Sequence, residues 1–179
     1  PWNVEGDIDY DKLIKRFGTQ KITPELLTKI EKFTNESHFM LRRGIFFSHR
    51  DLNRLLDDYE KGKKFFLYTG RGPSGHTHIG HLVPWVFAKW LQDKFKTKMY
   101  FQLTDDEKFW SKKDMTLEKT SKFALENALD FIALGFKPEN TKIIIDTKNI
   151  KTLYPIAAQF AKRINFSNTK AVFGFGNET

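Results

Sequence analysis

The sequence predicts an α/β fold, the first half of a doubly wound parallel sheet preceded by a mainly helical N-terminal layer. Three observations carry this expectation. From Lys63 onward, short aromatic or β-branched runs alternate with longer segments of helical period. A glycine-rich turn joins the first such run to the first such segment. Residues 1–62 instead carry helix starts, stops and apolar spacings, and are set apart as an accessory region from the sheet-bearing region 63–179.

In the front region, Thr23-Pro24-Glu25 has an N-cap residue, a proline at the first helical position and an early carboxylate, followed by Leu26, Leu27, Ile30 and Phe33 at helical spacing. Ser48 and Asp51 approximate a capping box before Leu52, Leu55, Leu56 and Tyr59, and Gly62 is placed to stop that helix. Arg42 and Arg43 read as a solvated pair.

The first strand is expected at 65–69. Gly70, Gly72 and Gly75, with Pro73 among them, let the backbone turn sharply and approach a ligand. A helix follows at about 81–96, with Val83, Phe87, Trp90, Leu91 and Phe95 on one face and Lys89, Gln92, Asp93, Lys94 and Lys96 mostly opposite. Pro84 falls in its first turn, where proline is tolerated. Next come a strand at 99–103, a helix at 116–134 closed by Gly135, a buried strand at 143–145, a helix at about 152–164 and a Gly-rich apolar end at 171–176. The β-α-β-α-β order suits a Rossmann-like parallel sheet with right-handed crossovers. Ligands in such sheets gather at the strands' carboxyl ends, where the 68–81 turn and the 102–107 segment both emerge.

Composition sets the outer bounds. With 40% hydrophobic and 15% aromatic residues, 179 residues suffice for a sizeable core. The chain has no cysteine, which excludes disulfides and thiolate metal sites; no apolar run is of membrane-spanning length and no signal-peptide pattern is present. A cytoplasmic, reduced compartment fits. Thirty Lys+Arg against 22 Asp+Glu leave +8, which suits a polyanionic partner such as RNA or a nucleotide, or equally a soluble Lys-rich surface.

The turn at 70–81 reads G-R-G-P-S-G-H-T-H-I-G-H. A helix N-terminus presents unpaired N–H groups and partial positive charge, and Arg71 adds a fixed cation, so anions should bind there. His76, His78 and His81 have a spacing that a metal could use, but no carboxylate completes the set and no metal is expected. The stronger reading has His78 and His81 donating hydrogen bonds to charge that builds on phosphate oxygens. Asp105, Asp106 and Glu107 taken alone suggest either a Mg2+ site or a solvated loop, and Asp105 and Asp106 read as solvated.

The H-I-G-H at 78–81, approached by Pro73-Ser74-Gly75, resembles the signature of class I aminoacyl-tRNA synthetases. The chain is similar, more closely, to eukaryotic-type tryptophanyl-tRNA synthetases. That resemblance rests on Y-T-G-R-G-P-S at 68–74, L-Q-D at 91–93 and Q-L-T-D-D-E-K at 102–108. Flanking stretches at 8–14 and 41–51 extend it over nearly the whole chain.

The resemblance implies a two-step reaction. The tryptophan carboxylate attacks the α-phosphorus of ATP, with Mg2+ accompanying the nucleotide, and the activated acyl group then passes to tRNA. It assigns His78 and His81 as catalytic, and Gly70, Arg71, Gly72, His78, Gly80 and His81 to ATP. Tyr68 and Gln102 would meet the indole nitrogen, and Glu107 the substrate ammonium. An indole nitrogen is only a donor, so a pocket that selects it must offer an acceptor. Read without the resemblance, Tyr68 is a strand-end core aromatic and Gln102 an edge polar residue.

The family's second signature, a Lys-Met-Ser-Lys-Ser loop, is found nowhere in the sequence, nor is its helical anticodon-binding domain. The chain therefore reads as the front part of a longer, generally homodimeric enzyme, and the isolated region is expected to bind ATP and tryptophan weakly at best. The alternatives are a tyrosyl-type synthetase, separated by the acceptors at Tyr68 and Gln102, and a noncatalytic RNA- or protein-binding fragment. A small nucleotidyltransferase also carries H-x-G-H but has no reason to keep the 1–60 layer or the Gln102-to-Lys108 pattern.

Overall fold

The computed structural model describes residues 9–173. The front region contains α1 (Tyr10–Phe17), β1 (Gln20–Lys21), α2 (Pro24–Thr34), α3 (Phe39–Arg42), β2 (Ser48–His49) and α4 (Leu52–Glu60). Thr23 caps α2 as its sequence foretells, its hydroxyl accepting the Leu26 N–H at 3.3 Å with Pro24 at the first helical position. Gly62 follows α4 with φ 81°, a left-handed conformation that a glycine adopts without strain.

The expected capping box at Ser48 and Asp51 does not form. Ser48 is held extended by antiparallel pairing with Lys21, so α4 starts only at Leu52. The Leu52 N–H is taken by His49 Nδ1 at 3.2 Å instead, and Asp51 makes no capping bond. The short strands β1 and β2 and the single turn of α3 carry too few residues to show a period.

The second region alternates β3 (Phe66–Arg71), α5 (Ile79–Phe95), β4 (Lys98–Leu103), α6 (Asp105–Ser111), α7 (Leu117–Ala133), β5 (Thr141–Ile145), α8 (Asp146–Ala161) and α9 (Phe166–Phe173). The three strands are parallel and ordered β3-β4-β5, with Gly70 opposite Gln102 and Gln102 opposite Ile144. Met99, Phe101 and Leu103 point to one face, where they pack with Trp85 and Ala88 of α5 and with Ala124, Ala128 and Phe131 of α7. The rings of Phe101 and Phe131 stack at 3.7 Å, and Phe136 stacks on Phe131 at 3.9 Å. The period-two alternation leaves Phe66, Tyr68, Tyr100 and Gln102 on the other face, where Phe66 and Tyr68 are exposed.

Helix α5 is shared between two cores, and this revises the amphipathic reading of 81–96. Its stripe of Phe87, Trp90, Leu91 and Phe95 packs on the front region, against Leu26, Ile30, Leu41 and Leu56, while Trp85 and Ala88 face the sheet. Gln92, expected on a polar face, is buried at 1% exposure; its amide donates to Thr141 Oγ1 at 2.9 Å and accepts the Lys137 N–H at 3.0 Å. The helix also begins earlier than expected, so Pro84 lies inside it rather than in its first turn and leaves the Gly80 carbonyl without an intrahelical N–H.

Thr116 and Gly135 bound α7 as expected. Helix α6 was not foreseen, and α8 starts at Asp146, six residues before the expected 152. Positions 174–176 of the Gly-rich end, and Ile8, lie outside the described residues. Among the described residues no helix is long and apolar enough to cross a membrane.

Candidate active site

The carboxyl ends of the three strands build one site: the turn after β3, the start of α6 after β4 and the start of α8 after β5. Glycines 70, 72 and 75 serve it differently from the sequence expectation. The glycines with left-handed φ among the described residues are 18, 44, 62 and 135, so sharp turning is not the role of 70, 72 or 75. Gly70 is required by close approach, since a Cβ there would lie 2.5 Å from the Gln102 carbonyl oxygen. A Cβ on Gly72 would run into the aliphatic stem of Lys108, whereas Gly75 faces open space.

Arg71 anchors the turn. Its Nε donates to Asn127 Oδ1 at 2.5 Å and its Nη2 to the carbonyls of Gly75 and His76 at 3.1 and 3.0 Å. Asn127, fully buried on α7, donates its own amide to Gly75 O at 3.1 Å. Burial lowers the Arg71 pKa, with the carboxylate of Asp130 acting in the opposite sense, yet a guanidinium stays charged. The cation is therefore fixed as expected, but several of its donors hold the loop. Gly70, Arg71, Gly72, Ser74, Gly75, His76, His78 and His81 line an open hollow of about 420 Å³.

His78 and His81 form the entrance of α5. His78 is the N-cap, its Nδ1 accepting the Gly80 N–H at 3.2 Å, and His81 Nδ1 reaches back to accept the His78 N–H at 3.1 Å. The two rings lie 3.7 Å apart. Because both Nδ1 atoms accept, each neutral ring carries its proton on Nε2, which leaves an N–H donor on each. Burial first, then the charge of Arg71 and the charge His78 carries when protonated, lowers the His81 pKa and favours that neutral form. Gly80 sits beneath the His78 ring, where a Cβ would meet Cε1 at 3.1 Å. His76 Nδ1 lies 3.2 Å from Glu126 Oε2.

On the open sheet face, the Tyr68 hydroxyl donates to Gln102 Oε1. Gln102 Nε2 in turn donates to both carboxylate oxygens of Asp146, at 2.8 and 2.9 Å. Asp146 opens α8 and is 7% exposed; its pKa is pushed up to about 6, chiefly by burial and further by the carboxylates of Asp106 and Asp105, against the Gln102 hydrogen bond. The sequence reading missed both Asp146 and Asn127. The available signal for Asp146 was a carboxylate placed directly after the apolar run at 143–145.

Asp105 is not solvated, contrary to expectation. It is fully buried, accepting the Thr147 N–H at 3.1 Å, the Thr147 hydroxyl at 2.6 Å and the Ser121 hydroxyl at 3.2 Å, so it ties α6, α7 and α8 together. Glu107 is exposed in the first turn of α6 and pairs with Lys108 at 2.9 Å, whose stem lies over Gly72. The site residues foreseen in the sequence thus fall into two groups: Gly70, Arg71, Gly72, His78, Gly80 and His81 around the turn, and Tyr68 with Gln102 on the sheet face. Glu107 reaches the first group through Lys108.

Residues 60–172, more than half of the chain, match the family described as tRNA synthetases class I (W and Y). The chain is 56% identical over 175 residues to a tryptophan–tRNA ligase of Sulfurisphaera tokodaii, with 97% of the chain and 46% of that protein aligned. It is 52% identical over 180 residues to a tryptophan–tRNA ligase of Pyrococcus furiosus, covering 100% of the chain and 46% of that protein. Among solved structures, the tryptophanyl-tRNA synthetase of Plasmodium falciparum superposes with a TM-score of 0.89 at 44% identity, over 96% of this chain and 48% of that one. The chain spans about half the length of the curated relatives it matches. It belongs to the class I tRNA synthetase family of tryptophan and tyrosine enzymes.

Proposed function

We propose that the protein carrying this region activates tryptophan with ATP and transfers it to tRNA, the region supplying the first part of the catalytic domain behind an accessory layer at 1–62. The observation that carries this reading is the acceptor pair of Tyr68 and Gln102 on the same strand ends as the imidazole-lined turn. The Tyr68 proton is already given to Gln102, so the phenolic oxygen has lone pairs left for an incoming indole N–H. A site that hydrogen-bonds a substrate N–H rejects analogues lacking it far better than an apolar pocket does.

In this reading ATP lies along the turn, in the hollow lined by Gly70, Arg71, Gly72, His78 and His81, with Gly80 at the entrance of α5. The Nε2–H groups of His78 and His81 donate to the α-phosphate as the tryptophan carboxylate attacks and pyrophosphate leaves. They act by charge stabilisation, which Arg71 assists. Mg2+ travels with the ATP phosphates. Glu107, once released from Lys108, receives the substrate ammonium. A homodimeric, cytoplasmic enzyme completes the proposal.

The test is amino-acid-dependent ATP–pyrophosphate exchange by the full-length protein. Exchange that depends on tryptophan supports the assignment; exchange with tyrosine and none with tryptophan overturns it.

A further inference from the structure

We propose that Asp146 is a positioning residue for substrate choice: it locks the Gln102 amide in the one orientation that turns Gln102 and Tyr68 into acceptors for an indole N–H. The inference rests on the proposed tryptophan site and adds a residue that does not itself meet the ligand.

With Asp146 ionised, the hydrogen bonding has one solution. An ionised carboxylate only accepts, so the Gln102 group 2.8 and 2.9 Å from the two Asp146 oxygens is the NH2. The carbonyl Oε1 then faces Tyr68 and takes its hydroxyl proton, leaving acceptor lone pairs on both residues. Were the amide reversed, its NH2 would face Tyr68 and the pair would present a donor to the indole N–H. An Asn at position 146 would permit that reversal, because its own amide both donates and accepts.

The carboxylate is held rather than merely present. Asp146 is the first residue of α8, and the next residue, Thr147, is bonded through its N–H and its hydroxyl to the buried Asp105, at 3.1 and 2.6 Å. Ser121 of α7 bonds the same carboxylate at 3.2 Å, so the backbone carrying Asp146 is tied to two other helices. Asp146 is buried beside the acidic Asp105 and Asp106, surroundings that disfavour its charge. A carboxylate kept in such a place at a cost to stability fits a functional demand better than a packing one.

The experiment measures binding by calorimetry at pH 7.5 to the full-length protein, as wild type and as Asp146→Asn. Three ligands are used: tryptophan, its benzothiophene analogue in which sulfur replaces the indole N–H, and ATP. The wild type is expected to prefer tryptophan. In Asp146→Asn, tryptophan affinity is expected to fall about tenfold, the worth of one oriented buried hydrogen bond. The analogue and ATP are expected to stay within about twofold, because neither uses that bond, with a thermal midpoint equal to or above the wild type.

Moreover, the effect of Asp146→Asn should vanish in a Gln102→Ala background, since Asp146 acts through Gln102. If the Asn variant does not fold cooperatively, Asp146→Ser is read in the same way. An unchanged tryptophan-to-analogue ratio, an equal loss for both ligands, or additivity with Gln102→Ala overturns the inference while leaving the tryptophan site standing. A wild type that binds no tryptophan overturns both.

Discussion

Arg71 and Asn127, 56 residues apart in sequence, close on each other through a 2.5 Å hydrogen bond and both donate to the Gly75 carbonyl. The shape of the turn is therefore written partly in α7, outside the motif itself. Asn127→Leu leaves Arg71 Nε without its partner inside a half-buried site. A loss of about 2 kcal/mol is expected in urea unfolding, the usual cost of an orphaned buried donor, together with a raised KM for ATP in pyrophosphate exchange. Unchanged nucleotide kinetics would confine Asn127 to stability.

The two duties of His78, capping α5 and offering Nε2–H, are separable. His78→Ala removes both, and in the full-length protein is expected to cost about 1 kcal/mol of stability and about 10²–10³ in adenylate formation. His78→Asn retains an oxygen that can cap the Gly80 N–H, so it should recover stability but not turnover. The double substitution of His78 and His81 by Ala should leave tryptophan affinity within a few-fold of wild type, measured by calorimetry. Near-normal exchange in the double variant contradicts the assigned role.

The neighbouring glycines make a matched pair. Gly70→Ala drives a Cβ to 2.5 Å from the Gln102 carbonyl oxygen across the parallel pair, and is expected to cost about 2–3 kcal/mol by forcing β3 and β4 apart. Gly75→Ala meets open space at an ordinary φ and should stay within about 0.5 kcal/mol of wild type. Equal effects in thermal unfolding would show that close approach is not what position 70 requires.

Asp146 gives a pH dependence of defined sign. Its folded pKa of about 6 lies above the ordinary 3.8, so between those values the folded state holds the proton more tightly than the unfolded chain. Its contribution is most favourable below about pH 4 and declines as pH rises to about 6. The shift corresponds to about 3 kcal/mol; the weaker amide–amide bond in Asp146→Asn offsets about 1 kcal/mol. The variant is thus expected to be more stable than wild type at pH 7, and the difference should shrink on going to pH 4.5 in urea titrations. A difference independent of pH contradicts the raised pKa.

Local signals in the sequence identified the elements that local physics governs. The Thr23-Pro24 start, the Gly62 and Gly135 stops, the three strands and the turn between β3 and α5 each follow from residues adjacent in the chain. What stayed hidden depends on distant partners. Gln92, Asn127 and Asp105 look like solvent-facing polar residues until Thr141, Arg71 and Thr147 reach them from 49, 56 and 42 residues away. Helix α6 escaped because its opening Asp105-Asp106-Glu107-Lys108 has a loop's composition, and its helical state is secured by the buried Asp105. The start of α8 escaped for the same reason, because Thr147 is fixed by that carboxylate. The gathering of the motif residues at the strands' carboxyl ends was therefore readable, whereas the residues that orient them were not.

The most direct measurement is a crystal structure of the full-length protein with tryptophan and a non-hydrolysable ATP analogue. The indole nitrogen is expected about 3 Å from Tyr68 Oη or Gln102 Oε1, and the α-phosphate beside the Nε2 atoms of His78 and His81. An indole nitrogen directed away from both oxygens, with the phosphates lying off the 70–81 turn, would contradict it.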